Sequence, residues 1–244
     1  MCKPLNCRRL IYINIAVYVA LKLLWLLLPD VPADFEAVLQ WIALPASAAD
    51  ALPRPWTLLS YSFVQVDFIH LLVNMLWLGW FGTILSGLRG NRAVTALYLG
   101  GAAAGACGFL LQSAICGTDS YGVLAGASAA TAAITVATTA IAPRYRVRLL
   151  FLGEIPLIFV APIALISFFS GATATVAAHI GGIAAGAAAA VIWRRRARAN
   201  TEKVRQHLKR LSRKQALLDK ARSSGYGSLS ETERLELFNL TDNN

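Results

Sequence analysis

Four polar side chains stand inside otherwise apolar runs of this sequence: His70, Asn74, Ser128 and His179. His70 and Asn74 are one helical turn apart, so on a helix they share a face. Ser128 sits in Gly126-Ala127-Ser128-Ala129-Ala130, and His179 is followed by Gly181, Gly182 and Gly186. A hydroxyl, two imidazoles and a carboxamide can supply a nucleophile, a base and donors to an oxyanion. Each residue alone has a plainer reading. A serine in an apolar helix usually bonds back to its own backbone, an asparagine bridges two helices, and a histidine satisfies a neighbour. The combination is what calls for chemistry.

The elements that must position these groups follow from composition. Of 244 residues, 57% are hydrophobic and only 15% are charged, with mean hydropathy +0.55. A soluble domain carries roughly 25% charge. Here the charge is clustered between long apolar stretches, which is a membrane pattern. Spans are expected near Leu10–Leu28, Val66–Leu85, Ala93–Ile115, Gly122–Ala142, Leu149–Phe169 and Ala172–Trp193. Roughly 17–25 residues suffice to bridge a hydrocarbon core of about 30 Å. The expected fold is all-α, a polytopic bundle of six transmembrane helices. The first apolar stretch follows Lys3, Arg8 and Arg9 as a signal peptide would, but it is long for one and no small-residue cleavage site follows. It reads as a retained helix.

Charge sorts the connections. One side holds Lys3, Arg8, Arg9, Arg89, Arg92, Arg144, Arg146, Arg148 and the run from Arg194 to Arg198. The other holds Asp30, Asp34, Glu36, Asp50 and Asp119, with Arg54 its only basic residue. The positive-inside rule places both termini in the cytoplasm, as an even number of spans also requires. The expected organisation is a cytoplasmic stub (1–9), a membrane domain (10–193) with a long outer loop (29–65), and a cytoplasmic tail (194–244). In the loop, Phe35, Val38, Leu39, Trp41 and Ile42 lie near helical spacing, and Trp41 and Trp56 suit the interface. In the tail, Val204, Leu208, Leu211, Ala216 and Leu218 indicate a basic helix near the inner leaflet. Ser230 and Glu233 have the spacing of a capping box. The formal net charge of +10 thus points to the lipid bilayer, and no nucleic-acid motif accompanies it. The four cysteines, Cys2, Cys7, Cys107 and Cys116, have no spacing that supports a zinc site or a disulfide framework. No metal or cofactor is implied.

In this topology the second, fourth and sixth spans run inward, each with its polar residue near the outer start. At about 1.5 Å per residue these groups lie about 6–12 Å below their helix starts, at one shared depth. Gly182 and Gly186 form a small-x-x-x-small face on which another backbone can pack. A Ser–His hydrogen bond needs such thin side chains between its helices.

At these residues the chain resembles the rhomboid family of intramembrane serine proteases, in its bacterial form. The matching elements are His70-x-x-x-Asn74 followed by Met75-Leu76-Trp77-Leu78-Gly79-Trp80-Phe81-Gly82, then Gly126-x-Ser128, then Ala178-His179-Ile180-Gly181-Gly182 with Gly186. The resemblance runs from about Leu10 to Trp193, and Leu218 to Leu229 is similar to the ending of a bacterial subgroup. It implies a rhomboid-like bundle with a Ser–His dyad in which Ser128 attacks and His179 is the base. The oxyanion donors would be the Ser128 backbone N–H, His70 and Asn74. Gly126, Gly182, Gly186 and Gln65 would support the site. Substrates would be single-pass membrane proteins cut near the outer face, admitted past the fifth span with Pro156, Pro162, Phe168 and Phe169.

This sequence departs from the family pattern at Gln65, where many members have His, and at Ala129, where Gly is commonest. At Ala132 some members place an aromatic ring against the catalytic histidine. A rhomboid-like pseudoprotease that binds membrane helices would be expected to lack Ser128 or His179, and both are present. A transporter or channel would be expected to show internal repeats or mid-membrane charge; only Lys22 and Glu154 qualify, and both can snorkel. The sequence leaves the oligomeric state open.

Overall fold

The computed structural model describes residues 5–27, 31–65, 67–117, 122–149, 153–168 and 175–242. Cys2, Lys3, Asp30, Asp119 and Phe169 lie outside the described residues, as do the side chains of Asp34, Phe35 and Glu36. The chain divides into two compact units, Met1–Val191 and Ile192–Asn244.

In the first unit, α1 (Leu5–Leu27) and α2 (Val31–Ile42) are followed by the short helices α3 (Ala48–Ala51) and α4 (Thr57–Ser60) and a 3-10 turn, Tyr61–Phe63. Then come α5 (Phe68–Arg89), α6 (Asn91–Cys116), α7 (Ser128–Ile141), α8 (Leu157–Phe168) and the start of α9 (Val176–Ser224). Among the described residues, α1, α5, α6 and α9 are long and apolar enough to cross a bilayer, and α7 and α8 are shorter apolar helices. The architecture is an all-α polytopic membrane bundle.

The middle of the bundle is α7, which packs on α5, α6 and α8. Nearly every residue from Ser128 to Thr138 is buried, and most are alanine or threonine. Small side chains let three neighbours approach one helix closely. Two of its threonines behave as lone hydroxyls in an apolar helix do: Thr135 donates to the Thr131 carbonyl at 2.9 Å and Thr138 to the Ile134 carbonyl at 2.6 Å. Asp67 caps α5, its carboxylate accepting from the His70 backbone N–H at 2.8 Å. The helix stops at Gly90, whose φ of +86° disfavours any side chain.

Two expected spans prove shorter. The fourth begins at Ser128 rather than near Gly122, because residues 123–124 form a strand, β2 (Val123–Leu124), paired antiparallel with β1 (Leu44–Pro45). The fifth begins at Leu157 rather than Leu149. The residues before it form a hairpin of β3 (Arg146–Leu149) and β4 (Gly153–Pro156), in which Arg148 faces Glu154 across the ladder. Apolar content alone cannot distinguish such a hairpin from a span, but β-branched Val147 and Ile155 and Gly153 at φ +74° favour it. Glu154 therefore belongs to a hairpin, not to a helix. Lys22 does lie in α1, with its ammonium 5.6 Å from the centre of the Tyr18 ring.

Between α1 and α5, Trp41 and Trp56 stack at 6.1 Å, and the Trp56 indole donates to the Trp41 carbonyl at 2.8 Å. In the second unit α9 continues without a break to Ser224, and α10 (Glu231–Asp242) packs back on it. The capping box forms, Ser230 and Glu233 each accepting from the other's backbone N–H. Leu217, Leu229 and Leu237 make the small core. Leu208, Leu211 and Leu218, on the stripe expected near the inner leaflet, stay exposed, while Leu217 is buried.

Candidate active site

The helix starts converge. His70 is in the first turn of α5, Ser128 is the first residue of α7, and His179 is in the first turn of α9. The late start of α7 brings Ser128 nearer its helix end than the sequence suggests. Its backbone N–H is then one of the donors that a helix cannot satisfy internally. The first bond within the helix runs from the Thr131 N–H to the Ala127 carbonyl, at 2.9 Å.

The nonhelical segment before Ser128 needs partners for its backbone, since irregular chain in a membrane protein is stable only where protein satisfies it. The segment between α1 and α5 supplies them. Ala46 donates to the Gly122 carbonyl at 3.1 Å, and the Gly126 N–H donates to the Tyr61 carbonyl at 3.0 Å. Tyr61 is fixed in turn by its hydroxyl, which donates to the Ala102 carbonyl at 2.8 Å. Gly126 has φ +127°, and a Cβ there would lie 2.9 Å from Cε1 of His70. Glycine is needed both for the turn and to admit the imidazole.

Ser128 Oγ and His179 Nε2 are 2.7 Å apart, and both residues are buried. Backbone proximity makes this possible. A Cβ on Gly182 would lie 2.1 Å from the Ala129 carbonyl oxygen, and one on Gly186 would lie 2.3 Å from that of Ala133. Thus α9 rides on the backbone of α7 with nothing between them. The methyl group of Ala129 faces α6, where a Cβ on Gly105 would come within 2.6 Å of it. Gly105 makes room for it, in a space also bordered by the Tyr61 hydroxyl and the Ala178 carbonyl.

A cavity of about 480 Å³ opens on the pair. Its lining includes Asp67, Ile69, His70, Val73, Ala125, Ser128, Ser167, Phe168, Thr175 and His179. His70 therefore shares the cavity with the Ser–His pair. Asn74 and Gln65 do not line it. Asn74 is fully buried, and its Nδ2 donates to Gln65 Oε1 at 3.3 Å. Among the described residues, no group of three or more potential ligands is placed to hold a metal ion.

A family profile described as the rhomboid domain matches residues 53–196. The chain belongs to the rhomboid family. No curated relative matches it. The rhomboid domain accounts for the membrane-embedded helices and makes the protein an intramembrane protease or a pseudoprotease.

In this rhomboid the ring absent at Ala132 is supplied from elsewhere. Phe168 of α8 stacks on His179 with centroids 6.3 Å apart and planes 21° from parallel. The sequence singled out Phe168 only as part of a gate. Trp77 ties the same helix to α5, its indole donating to Ser167 Oγ at 3.0 Å. Asp67 was also not singled out, although an acidic residue directly before an apolar helical run is a recognisable cap. Asn14 and Tyr98, which join Gln65 in one network, carry no sequence signal that links them to His70 or Ser128.

Proposed function

We propose that this rhomboid is an intramembrane serine endopeptidase that uses Ser128 and His179 as a dyad. The observation that carries the reading is the 2.7 Å contact between Ser128 Oγ and His179 Nε2, buried yet open to a cavity shared with His70. With the imidazole protonated on Nδ1, Nε2 accepts the Oγ proton as Oγ attacks the scissile carbonyl. The carbonyl π electrons move to its oxygen, which gains donors from the Ser128 N–H at the head of α7, from His70 and from Asn74. Collapse breaks the C–N bond, and His179 gives its proton to the departing amine. A water then repeats the sequence on the acyl-enzyme and frees Ser128. No acidic third member is needed in a dyad.

The substrates in this reading are single-pass membrane proteins whose helix unwinds near the outer face. The distribution of Arg and Lys supports cytoplasmic termini in the cell membrane, and hence a cut on the opposite side. The stub, membrane domain and cytoplasmic tail (1–9, 10–193 and 194–244) form the organisation we infer. Labelling of the detergent-purified protein with a fluorophosphonate tests the proposal. Wild type should label, and Ser128→Ala and His179→Ala should not. Equal labelling of all three would refute the dyad, and an unlabelled wild type would favour a pseudoprotease.

A further inference from the structure

Asn74, a donor in the chemistry above, ends a chain of buried polar side chains whose other members have no part in that chemistry. Asn14 of α1 donates through Nδ2 to the Leu10 carbonyl at 2.9 Å and to the Tyr98 hydroxyl at 3.1 Å. Tyr98 donates to the Ser62 carbonyl at 2.8 Å. Gln65 Nε2 donates to Asn14 Oδ1 at 3.2 Å, and Asn74 Nδ2 donates to Gln65 Oε1 at 3.3 Å. Asn14, Gln65, Asn74 and Tyr98 are all 0–1% exposed.

A carboxamide turned over has nearly the same shape, so the direction of such a chain must be argued from its ends. Here one end decides it. The Leu10 carbonyl can only accept, so Asn14 must present nitrogen to it. The one hydrogen of Tyr98 is committed to Ser62, so its hydroxyl accepts from that same nitrogen. The oxygen of Asn14 is then left for Gln65, which must present nitrogen. The oxygen of Gln65 in turn meets Asn74, which must also present nitrogen. Two acceptor-only carbonyls in α1 and the outer loop thereby dictate which way a side chain on α5 is turned. Asn74 keeps a second N–H, and its Oδ1 has no partner among the described residues.

We propose that Asn14 and Gln65 are positioning residues, a relay that fixes Asn74 with its nitrogen rather than its oxygen placed to serve the oxyanion. The inference deepens the proposed function and rests on the reading of Asn74 as an oxyanion donor. Without Gln65, either edge of Asn74 can face the developing charge, and the oxygen edge would repel it. Gln65 thus acts through Asn74 and touches no reacting atom. Its departure from the commoner histidine becomes a link to Asn14.

The test is the second-order rate of fluorophosphonate labelling of the full-length protein, normalised to the labelling plateau so that only competent sites count. Removing an oxyanion donor costs about 100- to 1000-fold in such systems. Asn74→Ala should therefore slow labelling strongly. Gln65→Met, which leaves the donor present but unheld, should slow it about tenfold in the native background and not at all in Asn74→Ala, since neighbouring residues that act as a unit are not additive. Gln65→Glu, whose neutral carboxyl can donate to Asn14 and accept from Asn74, should stay within about threefold of wild type. It also keeps the idea testable if Gln65→Met does not fold. The relay is overturned if Gln65→Met labels at or above the wild-type rate, or loses the same factor in both backgrounds. It is equally overturned if Asn74→Ala has no effect or if folded Gln65→Glu falls about tenfold or more. A wild type that does not label, or a Ser128→Ala variant that does, overturns the protease reading and the relay together. Labelled wild type with a failed cycle overturns the relay alone.

Discussion

Replacing Gly182 by alanine should disable the Ser–His pair while adding only one methyl group. The new Cβ would stand 2.1 Å from the Ala129 carbonyl oxygen and 2.8 Å from its carbon, where ordinary contacts begin near 3.4 Å. The obstacle is helical backbone, which cannot rotate aside as a side chain would. The two helices must part by roughly 1 Å at this level to restore contact distance. Gly182 lies three residues after His179, on the same helix, and Ala129 directly follows Ser128. The displacement is therefore imposed almost at the reacting atoms. Added to the present 2.7 Å between Oγ and Nε2, it carries the pair beyond hydrogen-bonding distance. A misplacement of about 1 Å costs on the order of 100-fold in rate. The assay is fluorophosphonate labelling per folded molecule, with thermal unfolding in detergent followed in parallel. Overpacking typically costs about 1–3 kcal/mol, so a fall in stability is expected too. A Gly182→Ala protein that is folded and labels at the wild-type rate would refute the claim that backbone contact between α7 and α9 sets the dyad geometry.

Other outcomes follow from the same structure. Phe168→Leu removes the ring stacked on His179, worth about 0.5–1.5 kcal/mol for an aromatic pair, and should slow labelling roughly two- to tenfold without moving the unfolding midpoint greatly; an unchanged rate would show that the imidazole needs no platform. Ala129→Gly should retain wild-type labelling, because Gly105 already leaves room for that methyl group, and a large loss would contradict this placement. In the tail, Ser230→Ala should cost about 1 kcal/mol of α10 stability through loss of the cap, read as faster amide exchange over Glu231–Asp242. The Lys220 ammonium, and then the Ser230 backbone N–H, hold Glu233 below the ordinary carboxylate value. Its contribution is therefore complete above that value and is lost as the pH falls through the lowered one, so protection of α10 should fail on acidification and not on mild alkalinisation.

How much of this was legible in the sequence depends on what each feature costs in a membrane. His70, Ser128 and His179 stood out because polar groups in apolar runs are expensive and so seldom incidental. Gly182 and Gly186 stood out because small residues at helical spacing mark close approach. The long helices α1, α5, α6 and α9 were legible for the same reason. The β3–β4 hairpin and the β1–β2 pairing were not, because β2 and β4 fall in apolar runs that satisfy a span template equally well and only the tertiary partner decides. Pairing of Leu44 with Leu124, across an intervening stretch that contains α5 and α6, leaves no local periodicity to detect. Asn14 was hidden differently. One polar residue in a first helix has an ordinary explanation as helix glue, and its link to Gln65, 51 residues on, exists only in the folded chain.

Phe168 bears on how far a missing motif residue can be read as a missing function. Ala132 lies on α7, so the sequence suggested a histidine left unrestrained. The restraint requires only that a flat apolar surface meet the imidazole, and any helix bordering the cavity can present one. Here α8 does so, and the short side chain at Ala132 contributes to the smooth face that lets α5, α6 and α8 crowd around α7. A ring at position 132 would be carried by the buried centre of the bundle. A ring at Phe168 is carried by the helix at the cavity wall, so any movement of α8 that widens the cavity also releases His179. In this arrangement one helix carries both part of the cavity wall and the ring that restrains His179.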